Sequence, residues 1–284
     1  MSSTTRDRLA AFREKAVAQG FSADEVERWA AVARPCLRLN LGGDGPVVGQ
    51  FGGPLLLPAD APDPSHPFVA SLDLAALPAE AAGLPLPADG HLLLFAFPED
   101  DDCDGNVGSA VHVPAGTAVT ERDRYVSWWA DEDDYGDMIE QYPQGPLRAA
   151  ADVSLPHFCD DAFTVGLWDD SKWPPYSAAL IELLREARDD ASDWGTLQIG
   201  GCASEEVVDL HDPIESVIST ALRAREAGEV DGEVSEHFAD WVLLADWHTD
   251  IEGWEGATVH WAVQREDLIA RRFDRVFVTR YWNP

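Results

Sequence analysis

The chain predicts an α+β fold. Antiparallel sheets are built from two duplicated β-rich halves, with an N-terminal helical pair and a few peripheral helices. Three observations point there. Short blocks recur in one order: Gln50-Phe51-Gly52-Gly53 and Gln198-Ile199-Gly200-Gly201, Phe68–Asp73 and Trp241–Asp246, Gly90–Phe97 and Gly256–Val263, Ala110–Val113 and Arg275–Val278. Most of these blocks are apolar runs of strand length bounded by Gly or Pro. Helical periodicity is strong only near the start and sparse afterwards, the pattern of an α+β chain. The expected organisation is a single domain over 1–284, with helices in 1–35, a first repeat in 36–147 and a second in 148–284.

Residues 5–34 read as two helices. Leu9, Phe12 and Ala16 form one stripe, and Gly20 ends the first helix. Ser22 and Glu25 make a capping box for the second, whose inward residues are Val26, Trp29 and Val32. Pro35 closes it. Leu37, Leu39 and Leu41 alternate with Arg38 and Asn40, which predicts a half-buried strand. Residues 42–66 are rich in Gly and Pro and read as a long loop or an edge segment. Phe68–Leu72 and Leu92–Phe97 read as strands buried on both faces. Asp73 looks like an N-cap for one helical turn. Strands are expected at 110–113, around Tyr125–Trp129 and at 148–156. Acid clusters at Glu99–Asp102, Asp104, Asp131–Asp134 and Asp137 are expected on solvated loops. Ser177–Ala187 reads as a helix, and Asp212-Pro213 starts another reaching Ala227. Trp241–Asp246, Ala257–Val263 and Arg275–Trp282 close the chain as strands, with a short helix at Arg265–Ala270.

The charge balance is extreme: 20 basic residues against 52 acidic ones, net −32. Such an excess repels phosphate backbones and anionic lipid, so nucleic acid and membrane are excluded as partners. It suits either a solubility surface or attraction of a basic protein. Cys36, Cys103, Cys159 and Cys202 have no Cys-x-x-Cys spacing, which favours reduced thiols over a disulfide framework. The first residues lack an apolar leader core, and no apolar run approaches the ~20 residues of a membrane span. A soluble, cytoplasmic protein is expected.

Candidate chemistry is thin. The run Gly42–Gly49 follows a strand, but Pro46 and Pro54 prevent the helix a dinucleotide loop must open. Asp100, Asp102 and Asp104 match the first half of a calcium loop, Asp-x-Asp-x-Asp-Gly, and are candidate ligands for a divalent cation. Val111 stands where that loop needs its bidentate Glu, so an acidic surface turn fits equally. No other cofactor is expected. Asp73 and Asp246 end the same repeated block. If both face one cleft between the repeats, the pair supports acid–base hydrolysis or small-ligand binding; otherwise each caps a turn. His157, Cys159 and His248 lack a third partner or a Gly-x-Ser-x-Gly elbow.

Cys36–Leu41, Gln50–Gly53, Phe68–Asp73 and Leu84–Phe97 resemble the YwqG-like family, a bacterial domain family of unknown function. Trp241–Asp246, Gly256–Val263, Arg265–Leu268 and Phe273–Val278 are its most similar part. The likeness spans roughly 30–282 and rests on apolar and glycine positions. It carries over no catalytic residues. Some members lie beside polymorphic-toxin genes, so the resemblance implies a non-enzymatic binding role, toxin immunity included. An acidic surface suits a basic toxin.

Overall fold

The computed structural model describes residues 3–78, 82–98, 105–123, 133–156, 178–186, 196–205, 212–254 and 256–282. Helix α1 (Ser3–Ala18) and helix α2 (Ala23–Val32) form the expected pair, and Ser22 caps α2 by accepting the Glu25 amide. Leu9, Phe12 and Ala16 of α1 meet Val26 and Trp29 of α2 and the leucines of helix α4 (Ala178–Glu186). Val153 and Leu155 complete this cluster, so the helical pair is anchored at the sheet and does not float free of it.

The strands are β1 (Arg34–Asn40), β2 (Val47–Phe51), β3 (Leu55–Pro58), β4 (Phe68–Asp73), β5 (His91–Ala96), β6 (Gly108–Val113), β7 (Val119–Arg122), β8 (Gly145–Ser154), β9 (Leu197–Gly200), β10 (Trp241–His248), β11 (Thr258–Gln264) and β12 (Phe277–Tyr281). Ten of them form one antiparallel sheet in the order β12-β11-β10-β9-β1-β8-β2-β4-β5-β6, and β3 pairs with β7 in a small second sheet. Strand β1, from the start of the chain, therefore sits at the centre between β8 and β9.

The large sheet rolls until its edges meet. Val107 donates to the Val278 carbonyl at 3.0 Å, and Trp261 Nε1 reaches the carbonyls of Phe95 and Ser109, each at 3.1 Å. Gly108 permits this closure: a Cβ there would lie 2.3 Å from the Phe95 carbonyl oxygen and 2.9 Å from Val278 Cγ1. The interior is one core, in which Phe51 of β2 meets Trp247 of β10 with ring centroids 6.1 Å apart. Outside, the β3–β7 ribbon covers β4 to β6 through Leu55, Leu57, Phe68, Leu93 and Phe95. Helix α5 (Pro213–Ala227) covers one end of β10, β11 and β12 through Val217, Ala221, Trp241, Ala262 and Phe277.

Asp212 caps α5, as its Asp-Pro start predicts, by accepting the Ile214 amide at 2.9 Å. Helix α6 (Arg265–Ile269) links β11 to a 3-10 turn, Phe273–Arg275. The Gly- and Pro-rich stretch 42–66, expected as a loop or an edge segment, supplies an edge strand, β3 of the ribbon, but it also contributes β2 to the interior of the large sheet. Helix α3 (Asp133–Glu140) arises in a region read as loop, and its Met138 and Ile139 enter the core. The strand expected around Tyr125–Trp129 lies outside the described residues, as do Cys103, His157 and Cys159. Cys36 and Cys202 are both buried and unbridged. Among the described residues no helix is long and apolar enough to cross a membrane.

Candidate functional site: a buried polar belt

A sheet face is usually apolar where it is buried and polar where it is wet, so a buried polar face is the informative exception. One such face crosses this sheet. Arg38 lies opposite Gln198, Gln198 opposite Asp246, Asp246 opposite His260, and His260 opposite Thr279. These five residues form a straight row over β1, β9, β10, β11 and β12, and all five are buried. A second row runs beside it. Thr196 donates to Asn40 Oδ1 at 2.9 Å, the His248 amide donates to the Thr196 carbonyl at 3.1 Å, and His248 lies opposite Thr258. The neighbours between these residues, including Leu39, Leu197, Trp247, Val259 and Trp261, face the interior core.

A β-bulge creates the belt. Leu243 pairs with Ala262, but Ala245 pairs with Trp261, so Leu244 is an extra residue in β10. Before the bulge Trp241 and Leu243 face α5; after it Asp246 and His248 occupy that outer face and Trp247 turns inward. Had β10 alternated regularly through Leu244 with no bulge, Asp246 would face the apolar core, since one residue of slip exchanges the faces.

The segment after β9 closes over the belt. Gly200 and Gly201 have φ of 70° and 85°, and a Cβ on Gly201 would lie 2.3 Å from Ser154 Oγ and 2.9 Å from Cys36 Cβ. Gln198 Nε2 holds the turn by donating to the carbonyls of Gly200 and Cys202, each at 3.0 Å. Ser204 then donates its amide (2.9 Å) and its hydroxyl (3.1 Å) to Asp246 Oδ2. Its Oγ also lies 2.9 Å from His248 Nε2. His260 sits between two carboxylates, with Nδ1 3.4 Å from Asp246 Oδ1 and Nε2 3.5 Å from Glu205 Oε1. These are ion-pair contacts, longer than good hydrogen bonds.

The electrostatics follow from that placement. Burial would favour neutral His260, but the Asp246 charge outweighs it, helped by Glu205, and the pKa rises to about 10. Burial would raise Asp246, but the charges of His260 and His248 hold it below the ordinary carboxylate value. His260 is therefore an imidazolium at neutral pH, clamped between anions. Burial dominates at the neighbouring Asp212, which is pushed up to about 7.

Ser204, His248 and Asp246 invite comparison with a nucleophile, base and orienting acid. The hydrogen-bond directions differ. The carboxylate is the strongest acceptor near the Ser204 hydroxyl, so that hydroxyl gives its proton to Asp246 and accepts from His248 Nε2. An activated serine instead donates to its histidine, and the acid holds the other ring nitrogen. Here Asp246 Oδ1 lies 3.8 Å from the same Nε2, and Nδ1 faces Thr258 Oγ1 at 3.5 Å. The arrangement fastens a loop to a sheet.

The structure places the two sequence candidates in different settings. Asp73 accepts the Ala75 amide at 3.0 Å and caps a turn, whereas Asp246 is fully buried in the belt. Strands β9, β1, β8 and β2 separate β10 from β4. Gln50 pairs with Ser71, and Gln198 pairs with Asp246. Asp100, Asp102 and Asp104 lie outside the described residues. Among the described residues no group of three His, Cys, Asp or Glu side chains is arranged to hold a metal ion. Sequence reasoning missed Arg38, Ser204, Glu205 and His260. The available signal was a polar pair at i and i+2 in several strands: Arg38 and Asn40, Thr196 and Gln198, Asp246 and His248, Thr258 and His260.

The model of a domain of unknown function (DUF1963) matches residues 49–281. The chain belongs to that family. The DUF1963 match begins inside β2, runs through β12 and leaves out β1, which nevertheless holds the centre of the sheet and supplies Arg38. No curated protein matches the chain.

Proposed function

We propose that this DUF1963 protein is a cytoplasmic, non-enzymatic binding protein that engages a basic protein, and that it is a YwqG-like toxin-immunity factor. The observation that carries this reading is where the acidic excess lies. Only five acidic residues are buried among those described, Asp152, Glu205, Asp212, Asp246 and Asp267, so most of the described acidic residues face solvent. One continuous strap concentrates the charge. Glu226, Glu229, Asp231, Glu233, Glu236 and Asp240 are exposed, with no Lys or Arg among residues 226–240. A complementary basic surface would be steered to it and bound more weakly as salt screens the charges. The polar belt supports the non-enzymatic part, because its mobile protons are already committed to internal partners.

The scaffold reads as a duplication in which the first strands are exchanged. From the centre outward the order is β1, β9, β10, β11, β12 one way and β8, β2, β4, β5, β6 the other. Support comes also from Gly52 and Gly53, which share the positive φ of Gly200 and Gly201, and from β4, which is bulged like β10.

The test is affinity capture from the producing cells at low and high salt, with a Glu226→Lys, Glu229→Lys, Glu236→Lys variant beside the wild type. A basic protein captured at low salt and lost in the variant supports the reading. Where the captured partner is a toxin, deletion should also sensitise cells to it. No basic partner, together with unchanged survival after deletion, removes it.

A further inference from the structure

A cavity of about 660 Å³ lies between the segment 232–240 and the α6 turn at 264–275, away from the polar belt. Its size falls within the range of small-ligand sites. Its floor is a closed hydrogen-bond network. Gln264 Nε2 donates to Asp267 Oδ2 at 2.9 Å, and Gln264 Oε1 accepts the Ser235 amide. Arg275 donates to the carbonyls of Asp231 and Glu233 and lies against buried Asp267, which Arg272 also contacts. These groups are fixed before anything binds.

The rim differs. Arg265, Glu233 and Glu266 line the cavity, are exposed, and have no ion-pair or side-chain hydrogen-bond partner among the described residues. A cation and anions without protein ion-pair partners among the described residues thus line one cavity over a rigid polar floor. The α6 turn carries a further mark of constraint. Arg271 has φ of 59°, the left-handed conformation that usually falls to glycine just past a helix end. A side chain held there is strained, and such strain collects at functional sites.

We propose that this cavity binds a small zwitterion, a free amino acid or a short peptide, with its carboxylate on Arg265 and its ammonium on Glu233. The protein's charge selects this class. A simple anion is repelled by a molecule of net −32, and a simple cation finds acidic surface everywhere. A zwitterion has no net charge and gains only where both signs stand at the right separation. The prearranged floor lowers the ordering cost of binding it.

The test titrates the full chain with glycine, triglycine and N-acetyl-triglycine amide, following amide shifts by NMR. Glycine or triglycine should bind in the millimolar range or tighter, with shifts centred on residues 232–240 and 264–275. The blocked peptide should not bind. The glycine and triglycine arms separate an amino-acid site from a peptide site. Arg265→Ala and Glu233→Ala should each weaken binding at least tenfold. Both residues are exposed, so melting temperature should stay near wild type and confirm folding. The double exchange Arg265→Glu, Glu233→Arg should recover binding relative to either single reversal. Equal binding of the blocked peptide, no binding of either zwitterion, or indifference to both alanine variants overturns the proposal.

Discussion

Replacing His260 by Gln tests whether the belt is held by charge. The imidazolium stands between Asp246 and Glu205, and its pKa rises from 6.5 to about 10. A shift of this size is worth roughly 5 kcal/mol at 1.36 kcal/mol per pH unit. Removing one partner of a buried ion pair costs about 3–5 kcal/mol, since it leaves a buried charge without its counterion. His260→Gln should therefore lose about 3–5 kcal/mol at pH 7, or roughly 6–20 °C in melting temperature. The pH dependence supplies an independent check. A raised pKa means the folded state holds the proton more tightly, so the stabilisation is complete below about pH 6.5 and is lost as pH rises towards 10. Urea denaturation from pH 6 to 10 measures both. The wild-type advantage over His260→Gln should shrink across that window, most clearly above pH 8, where Asp212 is already ionised. A variant within 1 kcal/mol of wild type at pH 7, or a difference that stays constant from pH 7 to 10, refutes the charge-clamp reasoning.

Asp212→Asn should keep the α5 cap while removing a buried charge. Because burial raises the Asp212 pKa to about 7, ionisation lowers stability as pH rises from about 4 to 7; the variant should gain about 1–3 kcal/mol at pH 8 and little at pH 5, and a loss at pH 8 would contradict this. Arg271→Gly should relieve the left-handed strain and raise stability by about 0.5–1 kcal/mol in thermal melts, and a lower melting temperature would refute it. Trp247→Ala should cost about 3–5 kcal/mol by opening a cavity where Phe51 and Tyr142 meet its ring, whereas a change below 1 kcal/mol would mean the rolled sheet does not share one core.

Local residue patterns made much of the fold legible. Ser22 and Asp212 cap their helices as read, and the apolar runs at 68–72 and 92–97 became β4 and β5. The segments that escaped are those whose burial comes from distant partners. Val47–Phe51 is a strand because Pro146–Arg148 and Ala70–Leu72 lie on either side of it, which no local pattern of Gly and Pro reveals. Helix α3 is fixed by burying Met138 and Ile139 in a core assembled from both ends of the chain. At the belt, Asp246 stood out by position, but its partners did not. Arg38 and Asn40 read as the wet side of a half-buried strand, because alternation says that two faces differ and not which one meets water.

The amino-acid order alone determines the antiparallel α+β class, the helix ends, the strand-length apolar blocks and the acidic surface. Each depends on periods, caps or composition contained within a short stretch. The tertiary structure alone decides that β1 enters the middle of the sheet, that the sheet rolls until β6 meets β12, and that Leu244 bulges. Those choices turn five alternating strands into a buried polar row from Arg38 to Thr279, because register and parity belong to pairs of strands and not to either strand by itself.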